Sequence, residues 1–357
     1  MLSGEGLSST NLFLSETALD SKRPGHASDQ LPRPMAEAVQ FCATHSDQFV
    51  ARARSKALRA MIAKADELSA QEAALKATLT QRRRSVLEKK RLLLFKDSLL
   101  QAGSPDVELP GDMASELTGR AKFSCKASRA QATQTLTKVY DATLKAREKG
   151  FLKGPIPEED IPTGSTLTRR FGVVQKEKVR PIDDYKASLV NSAVTQVEVV
   201  TLHGVDHIAS MGASFLRACA SAKKQANVVA KCSDLASAYK QIPLSEEACC
   251  LDSYIVVYNP TTGTPEVYQQ AVIPFGSVAS VTAFARCAMG IWLIGSSLLK
   301  LIWSSYFDDF LTLTTESLSR HAEICISTLF RLLGWDLSED KLVPYSHCCK
   351  VGRTIPP

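Results

Sequence analysis

The tetrapeptide Tyr306-Phe307-Asp308-Asp309 carries the strongest chemical signal in the chain. Its flanks are Leu301-Ile302-Trp303 and Phe310-Leu311-Thr312-Leu313. They alternate and are rich in aromatic and β-branched residues, which predicts a β-hairpin with both acids at its tip. Two adjacent carboxylates on a rigid tip repel each other unless cations neutralise them. Such a tip is either solvated or built to hold hard, oxygen-seeking ions such as Mg²⁺. A third acid, Asp234, ends the apolar run 227–235, which reads as a buried strand. Burying a carboxylate there is costly. Capping a turn accounts for it, and so does ligating a metal beside a cleft. Tyr239 follows five residues later.

These side chains need a frame, and the sequence after about residue 150 has the mixed α and β texture to provide one. Residues 169–185 read as a hairpin with Lys176 and Lys178 at its tip and Arg180 beside it. A cationic hairpin suits closure over a polyphosphate, because Arg can bind two phosphate oxygens at once. A merely solvated tip is the other reading of those residues. Ser253–Tyr258 and Glu266–Ile273 pair as a second hairpin, and Pro274-Phe275-Gly276 leads into an amphipathic helix reaching about 297. A last helix is expected over about 317–333.

The ordered set now resembles a known family. Asp234-x₄-Tyr239 comes first, then Pro274-Phe275-Gly276 with Phe284 eight residues past the glycine, then Tyr306-Phe307-Asp308-Asp309. This order and spacing resemble the reverse transcriptases (RNA-directed DNA polymerases) of LTR-type and related retroelements, over roughly 150–357. Arg180-Pro181-Ile182-Asp183-Asp184 and the later Asn191 resemble the fingers of the same family. The resemblance implies an α+β fingers-palm fold, fingers at 151–226 and a palm at 227–357, the palm a small antiparallel sheet backed by helices. It implies that Asp234, Asp308 and Asp309 are the catalytic carboxylates and ligate two Mg²⁺ ions, or Mn²⁺. It further implies that Tyr239 lies under the deoxyribose and selects dNTPs, and that Arg180, Lys176, Lys178 and Gly276 contact the incoming nucleotide. The resemblance also puts Lys341 roughly in the place of a lysine that protonates pyrophosphate; a solvated surface lysine fits that residue as well. The implied partners are an RNA or DNA template with its primer, and dNTPs.

The chain departs from the family after Gly276, where Ser277-Val278-Ala279-Ser280-Val281 replaces a Leu and a small-Pro pair. Cys348–Arg353 resembles the start of the primer-gripping hairpin, so the chain is expected to be truncated after the palm, without thumb or RNase H. A fragment of a polyprotein and a decayed element copy both fit that expectation.

The remainder bounds the function less tightly. The 357 residues are 45% apolar with a formal charge of +6, enough for a sizeable core. Residues 51–96 hold thirteen Lys or Arg against four Asp or Glu, which points to an anionic partner such as nucleic acid for that segment. Residues 1–35 read as a disordered leader, 36–101 as a basic helical or coiled-coil region, and 102–150 as a linker followed by a helix. Leu58, Met61, Ala65, Leu68, Leu75 and Leu79 fall at a and d spacing, which offers a homodimer through residues 58–93; a solvated helix face fits as well. The ten cysteines have no zinc spacing, and no secretory signal or membrane-spanning run of about 20 residues is visible. An intracellular, cytoplasmic or nuclear protein is expected. A second function class stays open: a catalytically inactive, retroelement-derived nucleic-acid-binding protein held by the basic helix.

Overall fold

Strands form where aromatic and β-branched residues alternate, helices where apolar residues recur every three or four positions. The computed structural model describes residues 11–13, 31–114, 133–175, 178–194, 202–244, 252–338 and 343–350. A short strand, β1 (Asn11–Phe13), precedes helices α1 (Arg33–Thr44), α2 (Asp47–Glu67), α3 (Ser69–Thr78), α4 (Gln81–Leu87), α5 (Leu92–Gln101), α6 (Leu109–Ala114) and α7 (Thr133–Glu148). Then come β2 (Leu152–Lys153), β3 (Leu167–Gln175), β4 (Lys178–Asp183), α8 (Val205–Ser221), β5 (Val228–Asp234), β6 (Tyr254–Asn259) and β7 (Thr264–Gln270). The chain continues through α9 (Val278–Leu298), β8 (Ile302–Tyr306), β9 (Asp309–Thr315), α10 (Ser319–Leu333) and β10 (Cys348–Lys350). The fold is α+β, as the sequence implies.

The antiparallel sheet β5-β9-β8 is the centre of the molecule. β8 and β9 are buried along almost their whole length, which is why they read as apolar runs. α9 lies on β8 with its backbone unusually close: a Cβ at Gly295 would run into the Trp303 ring. The two buried indoles satisfy each other's neighbourhood reciprocally. Trp292 Nε1 donates to the Trp303 carbonyl at 2.9 Å, and Trp303 Nε1 to the Trp292 carbonyl at 3.0 Å. A buried N–H left unpaired would cost about 1–3 kcal/mol. α9 is the helix among the described residues that is long and apolar enough to cross a membrane. In this fold most of it is buried, Ala288, Ile291 and Ile294 completely.

The second sheet has the order β2-β7-β6-β3-β4, with β3 parallel to β6 and the other pairs antiparallel. α7 covers it, over a small core of Val139, Leu152, Ile255, Val257 and Tyr268. Charge does more here. Buried Arg170 donates to both carboxylate oxygens of buried Asp183 at 2.7 and 2.9 Å, and Gln270 of β7 adds a third bond at 2.6 Å.

The N-terminal helices differ from expectation. The basic stretch is neither one long helix nor a coiled coil: it breaks at Leu68, Leu79 and Glu88, giving α2 to α5. Leu58, Met61 and Ala65 join the same apolar core as the central sheet, so the face that would pair a second copy is occupied within the chain. Glu72, which interrupts the heptad, shows why. It is buried, and its two oxygens accept the first N–H groups of α5, from Leu92 and Leu93, at 2.8 Å each. A carboxylate there satisfies orphan donors and the helix dipole together. The stretch read as a linker is pinned as well, because Arg286 of α9 binds Asp106 at 3.0 Å and Asp112 at 2.8 Å. Within the expected leader, Asn11–Phe13 pairs antiparallel with β10, and α1 already begins at Arg33.

Candidate active site

β5 ends at Asp234, and its register sets that residue opposite Asp309. On the other side Tyr306 pairs with Asp309, so Phe307-Asp308 is a two-residue loop joining β8 to β9. Phe307 has φ +51°, a left-handed backbone that costs a non-glycine residue about 1–2 kcal/mol. Such strain tends to persist where the surroundings impose it, often at functional sites. The Leu235 N–H donates to the Asp308 carbonyl at 3.1 Å, tying the two acid-bearing segments together. Asp234 and Asp309 are a cross-strand pair and share a face of the sheet. The Cys232 thiol, two residues before Asp234, donates to Asp309 Oδ1 at 3.7 Å. All three carboxylate residues are half-buried.

After Asp234 the chain passes Ser237 in a left-handed conformation (φ +51°) and turns into a 3₁₀ helix, Ala238–Gln241. This turn presents Tyr239, whose ring stacks on Phe284 at 4.8 Å and leans on Phe275 at 4.7 Å. The three aromatic residues quoted from separate motifs thus form one wall. Burial, and next the Asp308 carboxylate, pushes the Tyr239 hydroxyl up to about 12, which keeps it neutral at physiological pH.

Gly276 makes the junction between the two sheets. Its φ is +99°, and a Cβ there would collide with the Asp183 carbonyl oxygen at the end of β4. Asn191 clamps the same turn: its Nδ2 donates to the Gly276 carbonyl at 2.8 Å, while its Oδ1 accepts the Val278 N–H at 3.0 Å. The unusual Ser277–Val281 segment therefore still starts a regular helix, with an amide side chain satisfying its first turn.

The remaining sequence candidates stand apart. Arg180 and Lys178 are exposed on β4, the edge of the five-stranded sheet, and so belong to a different sheet from the carboxylates. Lys176 and Lys341 lie outside the described residues. One cation escaped the sequence reading. Lys240 follows Tyr239, its ammonium 5.8 Å from the centre of the Phe275 ring. Burial, and next the Arg170 charge, pushes it down to about 8, with Asp183 opposing. Its position beside Tyr239 was the available signal.

A family model for reverse transcriptase (RNA-dependent DNA polymerase) matches residues 165–350, a little over half of the chain. The chain belongs to the reverse transcriptase family. The match runs from β3 to β10. We call the central sheet the palm sheet and the five-stranded sheet the fingers sheet, although β6 and β7 of the latter fall within 227–357, the stretch expected to be palm. Family membership brings nucleotidyl transfer on a template-primer with dNTPs as the general activity. Helices α1 to α5 lie outside the matched range, yet they share the palm's core. A comparison with curated proteins finds no match.

Reverse transcriptases generally use divalent ions. Among the described residues no three His, Cys, Asp or Glu side chains converge on one point. A hard cation that keeps several waters and takes phosphate oxygens from its substrate needs only one or two protein carboxylates. Asp234 and Asp308, on segments joined by a hydrogen bond, meet that requirement.

Proposed function

We propose that this chain is an RNA-directed DNA polymerase that extends a primer with dNTPs. The observation that carries the proposal is the register of the palm sheet. It sets Asp234 against Asp309 and ties Leu235 to Asp308, beside a Tyr239 wall built from two further motifs. Asp234 and Asp308 would hold the Mg²⁺ or Mn²⁺ ions, and Asp309 would support them. When bound, two such ions supply a lowered pKa at the primer 3′-hydroxyl and neutralise the triphosphate and the leaving pyrophosphate.

The chain's own residues do the rest. The Tyr239 ring, fixed between Phe275 and Phe284, forms a flat floor that leaves no room for a ribose 2′-hydroxyl, and so favours dNTPs. Gly276, without a side chain, lets the backbone come close to the nucleotide. Arg180 and Lys178, with Lys176, grip the triphosphate from the fingers edge, and Lys341 is assigned the proton given to pyrophosphate. The finer affiliation proposed is with LTR-type and related retroelements, in an intracellular setting. Free thiols support that setting: Cys42, Cys219, Cys287 and Cys325 are buried and form no disulfide.

The test is extension of a labelled primer on an RNA template with dNTPs and Mg²⁺, beside the Asp308→Asn protein. Extension by the parent and a loss of about 10³-fold or more in the variant, at unchanged melting temperature, is the expected result. Equal behaviour of the two proteins would instead favour the silent nucleic-acid-binding protein.

A further inference from the structure

Of the thirteen Lys and Arg between residues 51 and 96, most are engaged within the fold. Arg54 is buried and closes the C-terminal end of α9, donating to the carbonyls of Leu299 at 3.0 Å and Lys300 at 2.9 Å. Arg84 does the same for α3, through the carbonyls of Lys76, Ala77 and Leu79. Lys90 bonds Gln241 and Gly334, and Lys89 and Lys96 pair with Asp336 and Glu108. Arg52, Lys56 and Arg59 are different. All three are exposed, and none has a hydrogen bond or ion pair among the described residues.

These three cations sit at i, i+4 and i+7 of α2. At about 100° per residue they form one stripe, on the side opposite the buried face of Val50, Arg54, Leu58, Met61 and Ala65. Residues 48–65 contain no acid; on this side of α2 the acids are Asp66 and Glu67 at its last turn, and Glu67 is paired with Lys64. Phe49, one turn before Arg52, extends the stripe. It is 50% exposed; its ring stacks on His45 at 4.6 Å and 15°, and Phe41 lies 4.6 Å from His45 and 6.1 Å from Phe49.

We propose that this face of α1 and α2 is a second nucleic-acid surface, which binds a single strand of RNA or DNA outside the catalytic cleft. Cations one helical turn apart, about 5–6 Å, can follow a phosphate backbone. An aromatic ring with an open face takes a base without regard to sequence, because every base has a π-face. A lipid surface would require a row of apolar side chains between the cations, and here the exposed apolar residues, Phe49 and Ile62, lie at the two ends of the stripe. The face is separate from the polymerase site: α2 packs on α10, and α10 packs on β9.

The test uses the full chain and fluorescence anisotropy with a labelled single strand of about 20 nucleotides, longer than one platform covers. For Arg52→Ala/Lys56→Ala/Arg59→Ala, the slope of log affinity against log salt should fall by about 2, at roughly 0.7 per lost phosphate contact. Affinity at low salt should drop about tenfold or more. Phe49→Ala should lose about fivefold or more with the slope unchanged, and Arg52→Lys/Arg59→Lys should keep the parent slope. Strand binding is read without Mg²⁺ or dNTPs and so does not depend on polymerisation, which keeps failure of the polymerase reading and failure of this one distinguishable. An unchanged slope and affinity in the triple variant, whose melting temperature should match the parent's, would overturn the proposal. So would a loss seen on anionic lipid vesicles and not on the strand.

Discussion

In the palm, β8 and β9 are buried on both faces and held by shape: Trp303 fills the space that the absent Gly295 side chain leaves. In the fingers, β4 is an edge strand with exposed cations, the apolar core is small, and a buried ion pair, Arg170–Asp183, does much of the holding. The difference matches the two tasks that the proposed function gives these sheets. Carboxylates that must meet within a few tenths of an ångström need a frame that packs one way only. A segment that must grip and release a nucleotide can be held by fewer and more polar contacts.

That contrast can be broken from either side. Trp303→Ala should cost the palm about 3–5 kcal/mol, by creating a cavity and stranding a backbone acceptor. Arg170→Met should cost the fingers about 3–5 kcal/mol, because it leaves Asp183 buried without its partner. Denaturant melts read both. The two sides separate by a second substitution: adding Asp183→Asn to the Arg170 variant should recover part of its loss by removing the stranded charge, whereas the same addition should not rescue the Trp303 variant. No recovery in the Arg170 background would mean that the buried ion pair is not what holds the fingers.

A smaller effect is expected at the junction. Gly276→Ala must push the turn away from the Asp183 carbonyl and adopt a strained φ of +99°. A stability loss of about 1–3 kcal/mol is expected, with a larger fractional loss in primer extension than in strand binding. Wild-type extension by this variant would show that fingers and palm need not touch here.

A pH-dependent effect concerns how the N-terminal helices join the palm. Lys90 is buried against Trp335, with its ammonium 3.6 Å from the ring centre, and it donates to Gln241, two residues past Tyr239. Burial pushes it down from the ordinary 10.5 to about 7. Between pH 7 and 10.5 the unfolded chain therefore binds more protons than the folded one, and this group makes stability rise with pH over that window. Below pH 7 both states are protonated and its penalty is complete. Lys90→Met should flatten that rise in thermal melts recorded at several pH values.

Much of the palm was legible because its signals are local. A period of two, a turn between matched runs and an acid at a strand end survive in one dimension. The strand ending at Asp234, the hairpin around Asp308 and the helix after Gly276 are all found where those patterns lie. The basic helices misled for the opposite reason. Composition reports how many cations a segment has, and it is silent on which carbonyls they will meet. Arg54 and Arg59 look alike on paper, yet one is buried under α9 and the other lies open to water.

By itself the sequence determined which residue types could do chemistry and in what order they occur, because acidic side chains and their spacing are properties of the chain. Only the tertiary structure decided that Asp234 would stand opposite Asp309, that Phe275 and Phe284 would enclose Tyr239, and that a heptad-like helix face would pack into the palm's core. Those outcomes depend on contacts between residues tens to hundreds of positions apart. Such contacts form where packing and hydrogen-bond satisfaction agree, and no local pattern carries that information.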